Sequence, residues 1–93
     1  MNNDLDRTMR FQRENDNLNT VSGILTRVYD ALKERGYDPT SQMVGYIMSG
    51  DPTYITSHKD ARYLIRRLER DEIVEELVRL YYRYLDGDLQ EKR

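Results

Sequence analysis

From Val21 onward, apolar residues recur at helical spacing. Val21, Ile24, Leu25, Val28, Tyr29 and Leu32 lie three or four apart, and Ser22, Thr26, Asp30, Lys33 and Glu34 fill much of the opposite side. Thr20 is a natural N-cap, and Gly36 supplies a left-handed stop, so the pattern predicts a first helix over about 20–35. Asp38-Pro39 is a start signal, with an acidic cap and then proline at the first helical position. The second helix, about 39–49, carries Met43, Val44, Tyr46, Ile47 and Met48 and is apolar nearly all round, which predicts a place at the centre of the fold. Gly45 lies on its remaining side, where the missing Cβ would let another backbone come close. Gly50 ends this helix, and Asp51-Pro52 repeats the start signal for a short third turn through Tyr54 and Ile55.

Ser57 followed by Asp60 resembles a capping box for a fourth helix over about 58–69. Ala61, Leu64, Ile65 and Leu68 share one side of it; Lys59, Arg62, Tyr63, Arg66 and Arg70 share the other. Asp71, Glu72, Glu75 and Glu76 then crowd the first turns of a last helix, where acids suit the positive end of the helix dipole. It runs to about Leu85, and Gly87 stops it. Its apolar residues, from Ile73 to Leu85, cover roughly 200° of its circumference, while a single core needs an apolar stripe little wider than about 100°. That excess predicts burial against a second copy of the chain, with Leu77, Leu80, Tyr81 and Tyr84 at the contact.

Residues 1–19 have no such period. They are rich in Asn, Asp and Arg, with scattered Met1, Leu5, Met9, Phe11 and Leu18. Such a segment buries too little to offset its ordering entropy, so a flexible tail is expected over 1–19, a helical dimerisation core over 20–87 and a frayed end over 88–93. The expected fold is all-α: a small bundle of about five helices, homodimeric.

Composition narrows the chemistry. At 93 residues the chain holds one small domain, of marginal stability alone. It has no cysteine and one histidine, which excludes disulfides and leaves only carboxylates to complete a zinc site. The net charge of −2 does not fit general nucleic-acid coating. No apolar run approaches the roughly 20 residues of a membrane span, and the first residues hold no signal-peptide core, so a cytoplasmic protein without membrane insertion is expected. His58 has no nucleophile elbow or Gly-rich phosphate loop around it and is taken as structural or surface-exposed. Arg67, Arg70 and Arg79 lie among the acids of the last helix, which makes these a solvated helix start. No enzyme, metal or cofactor is implied.

Two features could carry an interaction. Lys59, Arg62, Arg66 and Arg70 would form one basic column on the fourth helix, either a solvated face or an anion site, since arginine forks bind phosphate or carboxylate. With Tyr63 among them, the same face allows an alternative reading as a nucleic-acid-associated module. In the tail, Thr8 sits in Asp6-Arg7-Thr8-Met9-Arg10-Phe11, an accessible setting for phosphorylation. A phosphate there could dock on the basic column of the same dimer.

Asp6-Arg7-Thr8-Met9-Arg10-Phe11, Val28-Tyr29-Asp30-Ala31-Leu32 and Gly36-Tyr37-Asp38-Pro39 resemble the start of the IreB family of small bacterial regulatory phosphoproteins. The resemblance is strongest from Gln42 to Ile55, Gln-Met-Val-Gly-Tyr-Ile-Met-Ser-Gly-Asp-Pro-Thr-Tyr-Ile, and continues through His58–Arg62 and Glu69–Val78. It implies an all-helical homodimer. It also implies phosphorylation of a tail threonine by a transmembrane Ser/Thr kinase with extracellular PASTA repeats, reversed by the cognate phosphatase, in control of cell-wall homeostasis and intrinsic cephalosporin resistance. The family's Asp-x-Thr-x-x-Phe pattern places that threonine on Thr8. Some members carry a second threonine three residues earlier, where this chain has Leu5. Thr56 and Tyr63 stand where proline and asparagine are commoner. The downstream protein partner is not implied.

Overall fold

The computed structural model describes residues 17–87. Four α-helices make up the architecture, with no strand among the described residues: α1 (Val21–Glu34), α2 (Pro39–Ser49), α3 (Ala61–Ile65) and α4 (Arg70–Leu85). Two 3-10 turns, Pro52–Tyr54 and His58–Asp60, join α2 to α3.

The start and stop signals act as their chemistry demands. The Thr20 hydroxyl accepts from the Gly23 amide at 2.9 Å, capping α1. At its other end Gly36 takes φ +84°, the Gly36 amide donates to the Lys33 carbonyl and the Tyr37 amide to the Leu32 carbonyl. These two bonds are those of a Schellman stop. Asp38 caps α2 through the Thr40 amide, and Gly50 closes it in the left-handed region at φ +75°. Asp51 repeats the Asp38 arrangement with the Thr53 amide and hydroxyl at 3.0 and 2.8 Å. Both bonds hold the Asp51 carboxyl below its ordinary range, the amide contributing most.

The core forms around α1. Ile24, Val28, Ala31 and Leu32 are buried, and Ile55, Ala61, Leu64 and Ile65 pack against them from the 3-10 turns and α3. Leu18, placed in the tail on sequence grounds, also packs on this cluster, behind an Asn17–Thr20 turn. Of α4, only Ile73 is buried.

Three expectations are corrected here. The central element is α1, not α2: Tyr46 is the only buried residue of α2, while Met48 is 77% and Val44 52% exposed. A helix apolar on all sides needs cover on all sides, and one protomer of this size covers α2 only where it meets α1, the Pro52–Tyr54 turn and the start of α4. The fourth helix over 58–69 is also broken. Lys59 and Asp60 both adopt left-handed backbone angles, φ 56° and 63°, so only Ala61–Ile65 is α-helical. The Ser57 side chain makes no cap, and the capping box forms instead at α4, where Glu72 accepts from the Glu69 amide at 2.8 Å. Gly45 also behaves differently: the neighbour that needs its missing Cβ is the Tyr54 ring, not a backbone.

Candidate functional site

The basic residues of the broken segment do not form one free column. Lys59 reaches Glu34 near the end of α1, with Nζ 3.2 Å from Oε2, and His58 Nε2 lies 2.8 Å from Oε1 of the same carboxylate. These contacts, His58 first and Lys59 second, lower the Glu34 pKa. The Arg27 guanidinium fixes the turn from the other side by donating to the Lys59 carbonyl at 3.1 Å. Arg62, half-buried, donates through Nε to the Ile55 carbonyl at 2.8 Å. Arg70 crosses to α2 and donates to the Ile47 carbonyl at 2.9 Å, satisfying a helix-end acceptor. Of the four, Arg66 is exposed with no such protein contact described, and Tyr63 beside it is 67% exposed. The left-handed turn splits the column, and three of its cations hold the fold together.

His58 sits in this same latch, in contact with a carboxylate and beside an ammonium group. In the same turn the Thr56 hydroxyl accepts from the His58 amide at 3.1 Å, so the histidine is held at both its backbone and its Nε2. Among the described residues, no group of three or more His, Cys, Asp or Glu side chains could hold a metal ion. No helix there is long and apolar enough to cross a membrane.

The exposed chemistry lies on α4. After Ile73, Leu77, Leu80 and Tyr84 are each a little over two-fifths exposed, and Tyr81 is 58% exposed. Val74, Val78, Tyr82 and Leu85 continue the surface. Tyr81 stands in tilted contact with Tyr82 and Tyr84, ring centroids 6.4 and 6.2 Å apart. On the polar edge Arg79 pairs with Glu75 one turn earlier, which raises the Arg79 pKa. The structure thus places Leu77, Leu80, Tyr81 and Tyr84 together on one exposed apolar stretch. Thr8 lies outside the described residues.

Sequence reasoning missed how far this surface extends beyond α4. Leu25 and Tyr29 of α1, Met43, Val44 and Ile47 of α2, and Leu77 of α4 line a trough of about 340 Å³. A second hollow adjoins it along α1, lined by Ser22, Leu25 and Tyr29 and by Leu77, Leu80 and Arg83. Its signal was present in the all-round apolarity of α2, which was assigned to a core instead.

This pattern of four short helices, an apolar α4 and a Thr8-bearing N-terminal segment coincides with a family match over residues 6–83, to the IreB regulatory phosphoproteins. The chain belongs to the IreB family. A relative described as a UPF0297 protein, from Ruminiclostridium cellulolyticum, is 54% identical over 77 residues, covering 83% of this chain and 88% of the relative. The IreB match takes in Thr8, the latch at Glu34 and the greater part of α4, and stops before Tyr84 and Leu85.

Proposed function

We propose that this IreB-family chain is a non-enzymatic, cytoplasmic regulatory phosphoprotein that works as a homodimer. Its Thr8 is phosphorylated by a transmembrane Ser/Thr kinase of the PASTA type and released by the partner phosphatase. Its output is contact with a downstream protein in cell-wall homeostasis and intrinsic cephalosporin resistance. The observation that carries this reading is the family match, which starts at Asp6 and so includes the Asp6-Arg7-Thr8-Met9-Arg10-Phe11 segment. The apolar stretch through Leu77, Leu80, Tyr81 and Tyr84 supports assembly, because one protomer leaves it facing water.

The test is labelling of the full chain by the kinase domain, followed by mass spectrometry. Phosphate on Thr8, with labelling lost in Thr8→Ala, is the expected result. Phosphate confined to other residues, or no transfer, overturns the assignment. In cells, Thr8→Ala is expected to change cephalosporin tolerance in the same direction as loss of the kinase's control over this protein.

A further inference from the structure

The apolar trough between α1, α2 and α4 opens one helical turn from the point where the N-terminal segment enters α1. Ser22 and Leu25, in the first turns of α1, line its near end; Leu77 and Leu80 form one wall, and Met43 and Val44 the far end. Sixteen residues precede Asn17, and among the last eight of them the apolar ones are Met9 and Phe11. We infer that the chain's own Met9–Phe11 segment docks in this trough, and that a phosphate on Thr8 releases it.

Three observations favour this occupant. Length is the first. From Asn17 back to Phe11 an extended chain reaches roughly 20 Å, at about 3.3 Å per residue. The trough from Ser22 to Tyr29 runs for about 10 Å along α1, at 1.5 Å per residue. Phe11 can therefore fold back onto Leu25 and Tyr29 with Gln12–Asp16 as the connection. Chemistry is the second: Leu25, Tyr29, Met43, Val44, Ile47 and Leu77 give an almost wholly apolar lining. The more polar adjoining hollow holds Glu76, a carboxylate for Arg10 between Met9 and Phe11, with Arg83 further along its wall. The third is the width of the apolar arc on α4. Leu80 faces the trough side and Val74, Val78, Tyr81 and Tyr82 border another hollow, with Leu77 on the ridge lining both. One arc can serve the tail on one side and a second copy on the other.

Covalent connection raises the effective concentration of the segment without a new contact. Burying two apolar side chains opposes the ordering of about three residues, and these are of similar size. A poised equilibrium of this kind responds to charge. A phosphate on Thr8, next to Met9, adds about −1.5 to −2 charges at the edge of an apolar site and disfavours burial there. The release step rests on the proposed Thr8 phosphorylation; docking itself does not.

The chain has no cysteine, so a nitroxide on Gln12→Cys in the full-length protein reports one position. With 13C-labelled methionine methyls, docking is expected to broaden Met43, which lines the trough, several-fold more than Met48, which does not. Val44→Lys, at a half-exposed position, is expected to abolish the difference. Equal broadening of Met43 and Met48, or no effect of Val44→Lys, overturns docking. A mixture of nitroxide-bearing unlabelled chains with spin-free 13C-labelled chains is expected to leave Met43 sharp. Broadening there would place the tail on the other copy and overturn the intramolecular form. Phosphorylated Thr8 is expected to restore a sharp Met43 in the nitroxide protein; persistent broadening overturns release. Failure of the kinase to label Thr8 overturns the functional reading alone, because the docking measurement uses unphosphorylated chain.

Discussion

Gly50 and Gly36 both adopt left-handed backbone angles, φ +75° and +84°, but their surroundings differ. A Cβ at Gly36 meets nothing within 4 Å, whereas at Gly50 it comes within 2.8–3.0 Å of the Arg70 guanidinium. Gly36→Ala therefore carries only the left-handed penalty of about 1–2 kcal/mol. Gly50→Ala carries that and also displaces Arg70 from the Ile47 carbonyl, a charge-assisted bond of the kind that contributes about 1.5–3 kcal/mol. Urea unfolding midpoints are expected to rank wild type above Gly36→Ala and Gly36→Ala above Gly50→Ala; equal losses would show that the Arg70 bond contributes nothing. Asp60 is the converse case. Its φ of 63° suits glycine, and its side chain does not cap α3, so Asp60→Gly is expected to raise stability by up to about 1 kcal/mol. The acids of the turns set a pH dependence. Glu34 and Asp51 titrate below their ordinary values in the folded chain, so the stability they contribute is present above the unfolded values. It is lost as pH falls through about 4 and lower. Thermal melting followed from pH 6 to pH 3 is expected to fall less steeply for Glu34→Gln than for wild type, from a lower starting point.

At the scale of elements, what the sequence disclosed follows from where each signal resides. Caps and stops are local: Thr20, Asp38, Asp51, Gly36 and Gly50 each act through backbone groups within a few residues, so the ends of α1 and α2 were legible. The break at Lys59-Asp60 was not, because neither residue favours left-handed angles as glycine does, and the contacts that hold the turn come from Arg27 and Glu34 some 24–32 positions away. That non-local latch also dissolved the basic column, since a single helix from 58 to 69 was needed to align Lys59, Arg62, Arg66 and Arg70. The amphipathic period of α4 was legible, but its depth of burial was not. Ile73 alone enters the core, so it anchors the whole helix. Ile73→Ala is expected to cost about 2–5 kcal/mol as a fully buried large-to-small change. Val74→Ala, one residue on and two-fifths exposed, is expected to change protomer stability by less than about 1 kcal/mol. Chemical denaturation of the two variants at low protein concentration distinguishes an anchored helix from one packed along its length.

At the scale of the whole molecule, the question is what covers α4 and the outer side of α2. Ten buried apolar residues form the core, while fourteen large apolar or tyrosine side chains are exposed among the described residues. Scattered exposed apolar groups are ordinary, but a contiguous stretch from Val74 to Leu85 is the mark of an interface, set beside the trough through Val44 and Tyr29 that the N-terminal segment is inferred to fill. A two-fold arrangement suits it, because a self-complementary helix face meets its own copy with the same residues on both sides. The tyrosines add apolar area with a polar tip, which tolerates water in the free chain and burial in the pair. Sedimentation equilibrium at micromolar concentration is therefore expected to give twice the 11.2 kDa chain mass. Tyr81→Asp is expected to shift the population to monomer, since it puts a charge at the centre of the apolar stretch at a position that is 58% exposed in the protomer and so spares its core. Circular dichroism then separates the two effects: helical content kept with mass halved supports assembly through this face. A wild-type monomer at high micromolar concentration, unfolding cooperatively, would refute assembly and leave α4 to the N-terminal segment and to other proteins. Dimerisation also predicts concentration-dependent melting, because the folded pair gains stability by mass action while the unfolded chain does not. A melting temperature that rises with protein concentration in wild type, and stays constant in Tyr81→Asp, would tie the stability of this small domain to its second copy.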